Sequence, residues 1–325
     1  MQTWHENFLS LASPEGPDQL SGWQVPSLHG VWVAKDTAAL PQLLITPAGN
    51  KPGAAKLVLR HLEIDPHCVC SVQKQAGVAE HLECIRVSCL TAEPELQDFF
   101  FRTHAALLES LGHSRAASTT LEALETVAEL FRGFSNRPTK TLQGLWAELF
   151  LISRARDMVA AASAWQITTR ALVDFADGSE AVEVKSTATE SRRHHFKLAQ
   201  LMPPEGARWL IGSFMLREDP QGTSLQQLWK RIEIGLELSP AARMHVATQI
   251  AHALGDAWRY SESYRVDEES AALTLRVFDV RDVPRVDAGA NPAISDVEFT
   301  ADLSNTPQAV VGNTLLSTLF VSFTS

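Results

Sequence analysis

Cysteine is scarce in this chain: four residues in 325, all between Cys68 and Cys89. That number and clustering exclude a disulfide-built secreted scaffold and point to a reduced, cytoplasmic setting. Long apolar runs are missing as well. No stretch of about 18 apolar residues occurs, so no membrane helix is expected. The first residues, Met1-Gln2-Thr3-Trp4-His5-Glu6, have neither the basic nor the apolar region of a secretory signal. The chain has no Gly-Lys-Ser/Thr phosphate loop and no Gly-x-Ser-x-Gly elbow, which sets aside a nucleotide motor and an α/β-hydrolase site on this polypeptide. Internal repeats and low-complexity tracts are also lacking, and so is any excess of basic charge: 28 Lys+Arg face 38 Asp+Glu, a net charge of -10.

What is present is ordinary globular material, 45% hydrophobic and 20% charged, enough for about two domains. The acidity is uneven. Residues 1–100 hold 6 basic and 11 acidic groups, 221–325 hold 8 and 13, and 101–220 hold 14 of each. The neutral middle contains a local basic run of Lys185, Arg192, Arg193 and Lys197 with His194 and His195, opposed only by Glu190. Nucleic acid responds to a local patch and not to whole-chain charge. Taken alone, such a run reads as a solvated loop.

The pattern along the chain predicts a mixed α/β protein. Residues 1–92 read as a mostly β domain, with Val31-Trp32-Val33-Ala34 and Cys84-Ile85-Arg86-Val87 between Pro/Gly/Asn punctuation. Residues 93–138 read as a helical connector: one helix from Pro94 to about Leu111, a second from about Ser118 with a Thr119–Glu122 capping box. Residues 139–222 read as a compact core: helix 141–162, a strand ending near Phe175, a turn, strand 181–186, a short helix 196–202, and strand 209–216. Residues 223–325 form a C-terminal extension with helices at 224–237 and 240–254, then strand and loop.

The core holds the chemistry. Asp177-Gly178 between apolar runs predicts a two-residue turn that pairs Asp174 with Ala181. Asp174, Ala181, Glu183 and Lys185 then share one face, and Val173, Val182 and Val184 the other. Asp174 and Glu183 become diagonal neighbours, able to converge on a hard cation, with Lys185 placed to reach a phosphate or a water. Glu148 sits on an apolar helical stripe between Gly144, Leu145, Leu151 and Ile152. A carboxylate there needs a partner, which could be a metal-bound water, Lys185, or an arginine such as Arg154 or Arg156. Cys68-x-Cys70 fits one face of a strand and reads as core packing rather than a metal site. His245 and His252 read as structural or surface residues.

A helical Glu148, then Asp174, then Glu183-x-Lys185, on a helix–strand–strand–helix–strand order, resembles the PD-(D/E)XK nuclease superfamily. The wider set, Gly144-Leu145-Trp146-Ala147-Glu148-Leu149, Asp174-Phe175, Glu183-Val184-Lys185-Ser186-Thr187, Arg193 with His195, Gln200-Leu201 and Gly222-Thr223-Ser224-Leu225, resembles a bacterial family described as "putative PD-(D/E)XK" proteins. Its members tend to lie beside DNA methyltransferase and ATPase genes in restriction-type defence loci. The proline of the superfamily name is absent, Val173 standing before Asp174.

The resemblance implies a restriction-endonuclease-like core and an Mg²⁺-dependent DNA endonuclease (Mn²⁺ substituting), the cleavage subunit of a restriction or phage-defence system. Asp174 and Glu183 would ligate the metal, with the Val184 carbonyl as third ligand. Lys185 would orient the attacking water, Glu148 would hold the metal through water, and Gln200 would lie near the active site. Arg192, Arg193, His195 and Lys197 would touch DNA. The implied partners are DNA, a second copy of the chain, and ATPase and methyltransferase subunits. The alternatives are a non-catalytic assembly or DNA-positioning subunit, in which Glu148 should point away from Asp174 and Glu183, and an RNA-directed nuclease.

Overall fold

The computed structural model describes residues 2–14, 16, 19–49, 53–74, 79–112, 116–166, 171–286, 295–311 and 319–320. It divides into two compact units, 1–136 and 137–325.

In the first unit, α1 (Trp4–Ser10) precedes β1 (Gln19–Gln24), β2 (Val31–Lys35), β3 (Pro41–Ile45), β4 (Leu57–Val58), β5 (Leu62–Lys74) and β6 (Glu80–Cys89), followed by α2 (Pro94–Leu111) and α3 (Ala117–Gly133). The strand order is β1-β2-β3-β6-β5-β4. A further parallel pairing of β1 with the second half of β5 closes five of these strands into a barrel. Pro66, which has no N–H for the ladder, lies where the β5–β6 register shifts. Leu20, Trp32, Ala34, Leu44, Val72 and Leu82 pack together in the barrel core with Cys68 and Cys84. The helices expected as a connector belong to this unit. The helix expected from Ser118 starts at Ala117 on an uncapped Ala116, so Thr119 lies inside its first turn and forms no capping box.

In the second unit, α4 (Leu142–Arg154) and α5 (Met158–Ala164) precede β7 (Phe175–Asp177), β8 (Glu180–Thr187), β9 (Arg193–Lys197), β10 (Arg208–Met215) and β11 (Glu218–Ser224). Then come α6 (Leu225–Gly235), α7 (Pro240–Leu254), β12 (Arg265–Val266), α8 (Glu268–Thr274), β13 (Arg276–Asp279) and β14 (Glu298–Asp302). One sheet runs β13-β10-β8-β7, with β8 parallel to β10 and antiparallel to β7. The helix expected over 141–162 is two helices, because the chain leaves α4 at Ala155 and Asp157 caps α5 on the Ala160 N–H. The basic run expected as a loop is the strand β9, paired with β14, and the helix after it is a short 3₁₀ turn, Leu198–Leu201. The tail also contains a helix, α8.

The turn between β7 and β8 falls at Gly178-Ser179, not Asp177-Gly178. Gly178 adopts φ +57°, the left-handed conformation a type II′ hairpin requires at that position. Ladder pairs are Phe175↔Val182 and Asp177↔Glu180. Moving the turn by one residue shifts both strands together, so the expected faces survive. Asp174 lies one residue before the ladder, whose first pair is Phe175↔Val182, and reaches β8 through the Val184 N–H, which donates to its Oδ2 at 2.7 Å.

The helix and strand motifs of the core meet in three dimensions. The Trp146 indole on α4 donates to the Thr223 carbonyl at 2.9 Å, just where Ser224 caps α6 on the Gln227 N–H. A side chain at Gly222 would lie 2.4 Å from the Val266 carbonyl, so only glycine allows β11 and β12 to approach this closely.

Candidate active site

Three carboxylates at the β7–β8 edge are almost wholly withdrawn from solvent: Glu148 is 2% exposed, Asp174 8% and Glu183 6%. Each is brought there by a different element. Glu148 projects from α4, Asp174 enters just before β7, and Glu183 lies mid-strand on β8. The structure thus assembles Glu148, Asp174, Glu183, Lys185 and Gln200, which lie up to 52 positions apart in sequence, into one constellation. Asp174, Glu183 and Gln200 of this set line a cleft of about 570 Å³ together with Lys140 and with Thr248 and His252 of α7.

Every carboxylate is held. Asp174 Oδ2 accepts from the Val184 backbone N–H at 2.7 Å. Val184 therefore meets the site through its N–H, while its expected role as a carbonyl ligand remains a proposal. Glu148 Oε2 accepts from the Trp165 indole at 2.7 Å. Glu183 Oε1 accepts from Lys185 Nζ at 2.7 Å and from Gln200 Nε2 at 2.7 Å. Gln200 also donates to the Leu172 carbonyl at 3.0 Å, and its Oε1 accepts from Lys185 Nζ at 3.3 Å and the Lys197 N–H at 3.1 Å. One amide side chain thus fixes both Glu183 and Lys185. The Lys185 ammonium also lies 5.1 Å from the centre of the Phe196 ring.

The partner of Glu148 is neither Arg154 nor Arg156. It is Lys140, whose Nζ lies 2.5 Å from Glu148 Oε1 and is also ion-paired to Asp174 Oδ1. Lys140 and Trp165 are the residues the sequence reading missed. The one signal for Lys140 was its place just before the α4 N-terminus, where the helix dipole disfavours a cation unless a carboxylate compensates. Its segment is clipped to the end of α7, the N–H groups of Thr139 and Lys140 both donating to the Ala253 carbonyl. Glu148 and Asp174 face the same ammonium, so Glu148 points into the constellation.

Charge is unbalanced here, since three carboxylates meet two ammonium groups. Burial, reinforced by the Asp174 charge, raises Glu148 to about 8 and Glu183 to about 7 against the pull of the lysines. Burial alone would lower Lys140, but the Glu148 and Asp174 charges outweigh it and raise its pKa. Hard oxygen donors with surplus negative charge suit a divalent cation of the magnesium type, which needs only one or two carboxylates plus waters and substrate oxygens. Among the described residues no three carboxylates bring single oxygens within 4.8 Å of one another. The Lys140 ammonium stands between two of them.

The raised carboxyls bind protons more tightly folded than unfolded. Their stability contribution is therefore complete below about pH 4.5 and is lost as pH rises through about 7 to 8. In chelator, the thermal midpoint of the wild type should fall relative to Glu183→Gln between about pH 5 and 8, and a divalent cation should recover the difference. Parallel pH profiles for the two proteins would contradict this.

The basic residues separate. Arg193, His195 and Lys197 alternate on the exposed side of β9, His195 Nε2 lying 3.0 Å from Glu298. Arg192 is not offered to a nucleic acid. It is 7% exposed, and its guanidinium donates to the Ser213 carbonyl at 2.8 Å, to Ser213 Oγ at 2.9 Å and to the Thr274 carbonyl. His194 is buried beside it at 2.7 Å from Ser213 Oγ, and burial lowers its pKa to about 4. Arg192→Ala should accordingly cost about 1–3 kcal/mol of stability by stranding these acceptors. Chemical denaturation checks this, and unchanged stability with weakened DNA binding would contradict it. His245 Nε2 lies 2.9 Å from the Trp165 carbonyl and serves the packing of α7 against α5.

Comparison with known proteins bears on this constellation at the level of family. A family model described as "Putative PD-(D/E)XK family member, (DUF4420)" matches residues 6–304. No curated protein and no solved structure matches the chain.

Proposed function

The chain belongs to this PD-(D/E)XK family, and from that premise we propose that it is a divalent-metal-dependent DNA endonuclease, the cleavage subunit of a restriction or phage-defence system. The superfamily consists generally of nucleases that use divalent metals. The observation that carries the reading is the cluster of Asp174 and Glu183 at one cleft, with Lys185 paired to Glu183 and Glu148 turned toward Asp174 through Lys140.

Asp174 and Glu183 would hold the cation, Mg²⁺ with Mn²⁺ as substitute. Bound there, it supplies Lewis-acid polarisation of the phosphoryl group and an acidified water. The remaining work falls to the chain's own groups. Lys185 presents its ammonium to the attacking water and the non-bridging phosphate oxygens, neutralising charge that grows toward the transition state. Gln200 keeps Glu183 and Lys185 in register. Glu148, gripped by Trp165, fixes the side of the site facing α4. The exposed Arg193, His195 and Lys197 offer phosphate contacts. With a net charge of -10, the grip on DNA would come largely from partner subunits, the ATPase and methyltransferase of the same system.

The direct test is plasmid cleavage by the purified chain, alone and with the products of neighbouring genes, in Mg²⁺, Mn²⁺ or chelator. Metal-dependent cutting that Glu183→Gln abolishes supports the proposal. Cutting that survives both Glu183→Gln and Lys185→Ala sinks the site assignment. Gln200→Ala should lower cleavage and divalent affinity about 10–100-fold, the usual cost of losing a group that orients a metal ligand. Activity equal to wild type would remove Gln200 from this role.

A further inference from the structure

The cysteines form a second constellation, far from carboxylate chemistry in kind. Cys68 and Cys70 lie two apart on β5, so they share a face of the strand. Cys84 on β6 stands directly opposite Cys68 and diagonal to Cys70. The three sulfurs lie within 4.8 Å of one another, with Cys70 Sγ and Cys84 Sγ 3.8 Å apart.

We propose that Cys68, Cys70 and Cys84 form a three-thiolate site for a soft divalent cation of the zinc type, with the fourth position left to an exogenous ligand. The spacing is the first argument. Two sulfurs bound tetrahedrally at a zinc–sulfur distance of about 2.3 Å lie about 3.8 Å apart, so the Cys70–Cys84 pair already has that separation. The remaining sulfurs need close by no more than about 1 Å, within reach of a small side-chain rotation. The donor set is the second argument. Three soft sulfurs select zinc-type ions over magnesium, which holds its water and prefers oxygen.

The surroundings are the third. The cluster opens off an apolar barrel core of Leu20, Trp32, Ala34, Leu44, Val72 and Leu82, while Cys70 is only partly buried and gives an ion a way in. Arg86, the next residue on the same face of β6, acts electrostatically on Cys70, while its guanidinium is also shared with Glu63 at 3.4 Å and Asp65 at 3.8 Å. Cys89 is the internal contrast: it is wholly buried on β6 outside the trio, and packing alone accounts for it.

The site would staple β5 to β6 immediately after the register shift at Asp65/Cys68, where the ladder is interrupted. Metal bound only by the folded chain stabilises that chain.

The test titrates Co²⁺ into the reduced, metal-stripped full-length protein. Thiolate ligation gives an intense charge-transfer band that carboxylate ligation cannot give. The expected result is a band saturating at one Co²⁺ per chain, bleached by one equivalent of Zn²⁺, with a raised thermal midpoint. Cys89→Ser should titrate as wild type, whereas Cys70→Ser should lose most of the band and bind at least tenfold more weakly. Cys70→Val serves if the serine variant is unfolded by circular dichroism. A reduced wild type with no band, or a band of unchanged strength and affinity in a folded Cys70 variant, overturns the proposal.

Discussion

Glu183→Gln and Lys185→Ala should each lower the proposed metal-dependent cleavage by about 10²–10³-fold or more, the scale of removing one group that stabilises transition-state charge. The reason lies in how these residues are held. Glu183 is 6% exposed and engaged by both Lys185 and Gln200, so its charge is concentrated in a site that water screens poorly. Glutamine keeps the shape and one acceptor oxygen but loses the charge a cation needs. Removal of Lys185 leaves Glu183 without its 2.7 Å counter-charge and the phosphate without its ammonium. The two variants should differ in a second readout. Glu183→Gln should weaken divalent binding, while Lys185→Ala should leave it equal or tighter, because a competing cation has gone. Equal loss of metal affinity in both would mean that Lys185 acts through Glu183 alone.

Lys140→Met destabilises the protein by about 3–5 kcal/mol in chelator, the cost of removing one partner from a buried ion pair. Its ammonium is shared by Glu148 and Asp174, and methionine fills most of the volume while returning none of the charge. The signature that separates this from ordinary loss of packing is rescue. Mg²⁺ or Mn²⁺ should raise the thermal midpoint of Lys140→Met more than that of the wild type, since an added cation takes over the compensation. A metal-independent loss, or none, would show that Lys140 does not act as the charge partner of this site.

The shared face of Asp174, Glu183 and Lys185 was readable because strand periodicity does not depend on the turn. Asp174, Glu183 and Lys185 share a face whether the hairpin turns at Asp177-Gly178 or at Gly178-Ser179, so the error in register left the site intact. Glu148 was readable because a carboxylate on an apolar helical stripe demands a partner. Its actual partner was not, since Lys140 reaches it from the residue before the helix cap, and no periodicity links the two. Arg192 was misread for a related reason. A basic run looks solvated in one dimension, but alternation along β9 sends His194 and Phe196 inward, and the guanidinium of Arg192 satisfies the Ser213 and Thr274 carbonyls. Closure of the β barrel and the meeting of Cys70 with Cys84 depend on the parallel β1–β5 pairing and the β5–β6 register, long-range choices that local pattern does not express.

The most direct measurement is calorimetric titration of Mn²⁺ into metal-free wild type and into the Asp174→Asn/Glu183→Gln double variant, both in a Cys70→Ser background to remove thiolate binding. Binding to the wild-type carboxylates that disappears in the double variant is the predicted result. Equal binding to both proteins would contradict the claim that Asp174 and Glu183 form the metal centre of a nuclease.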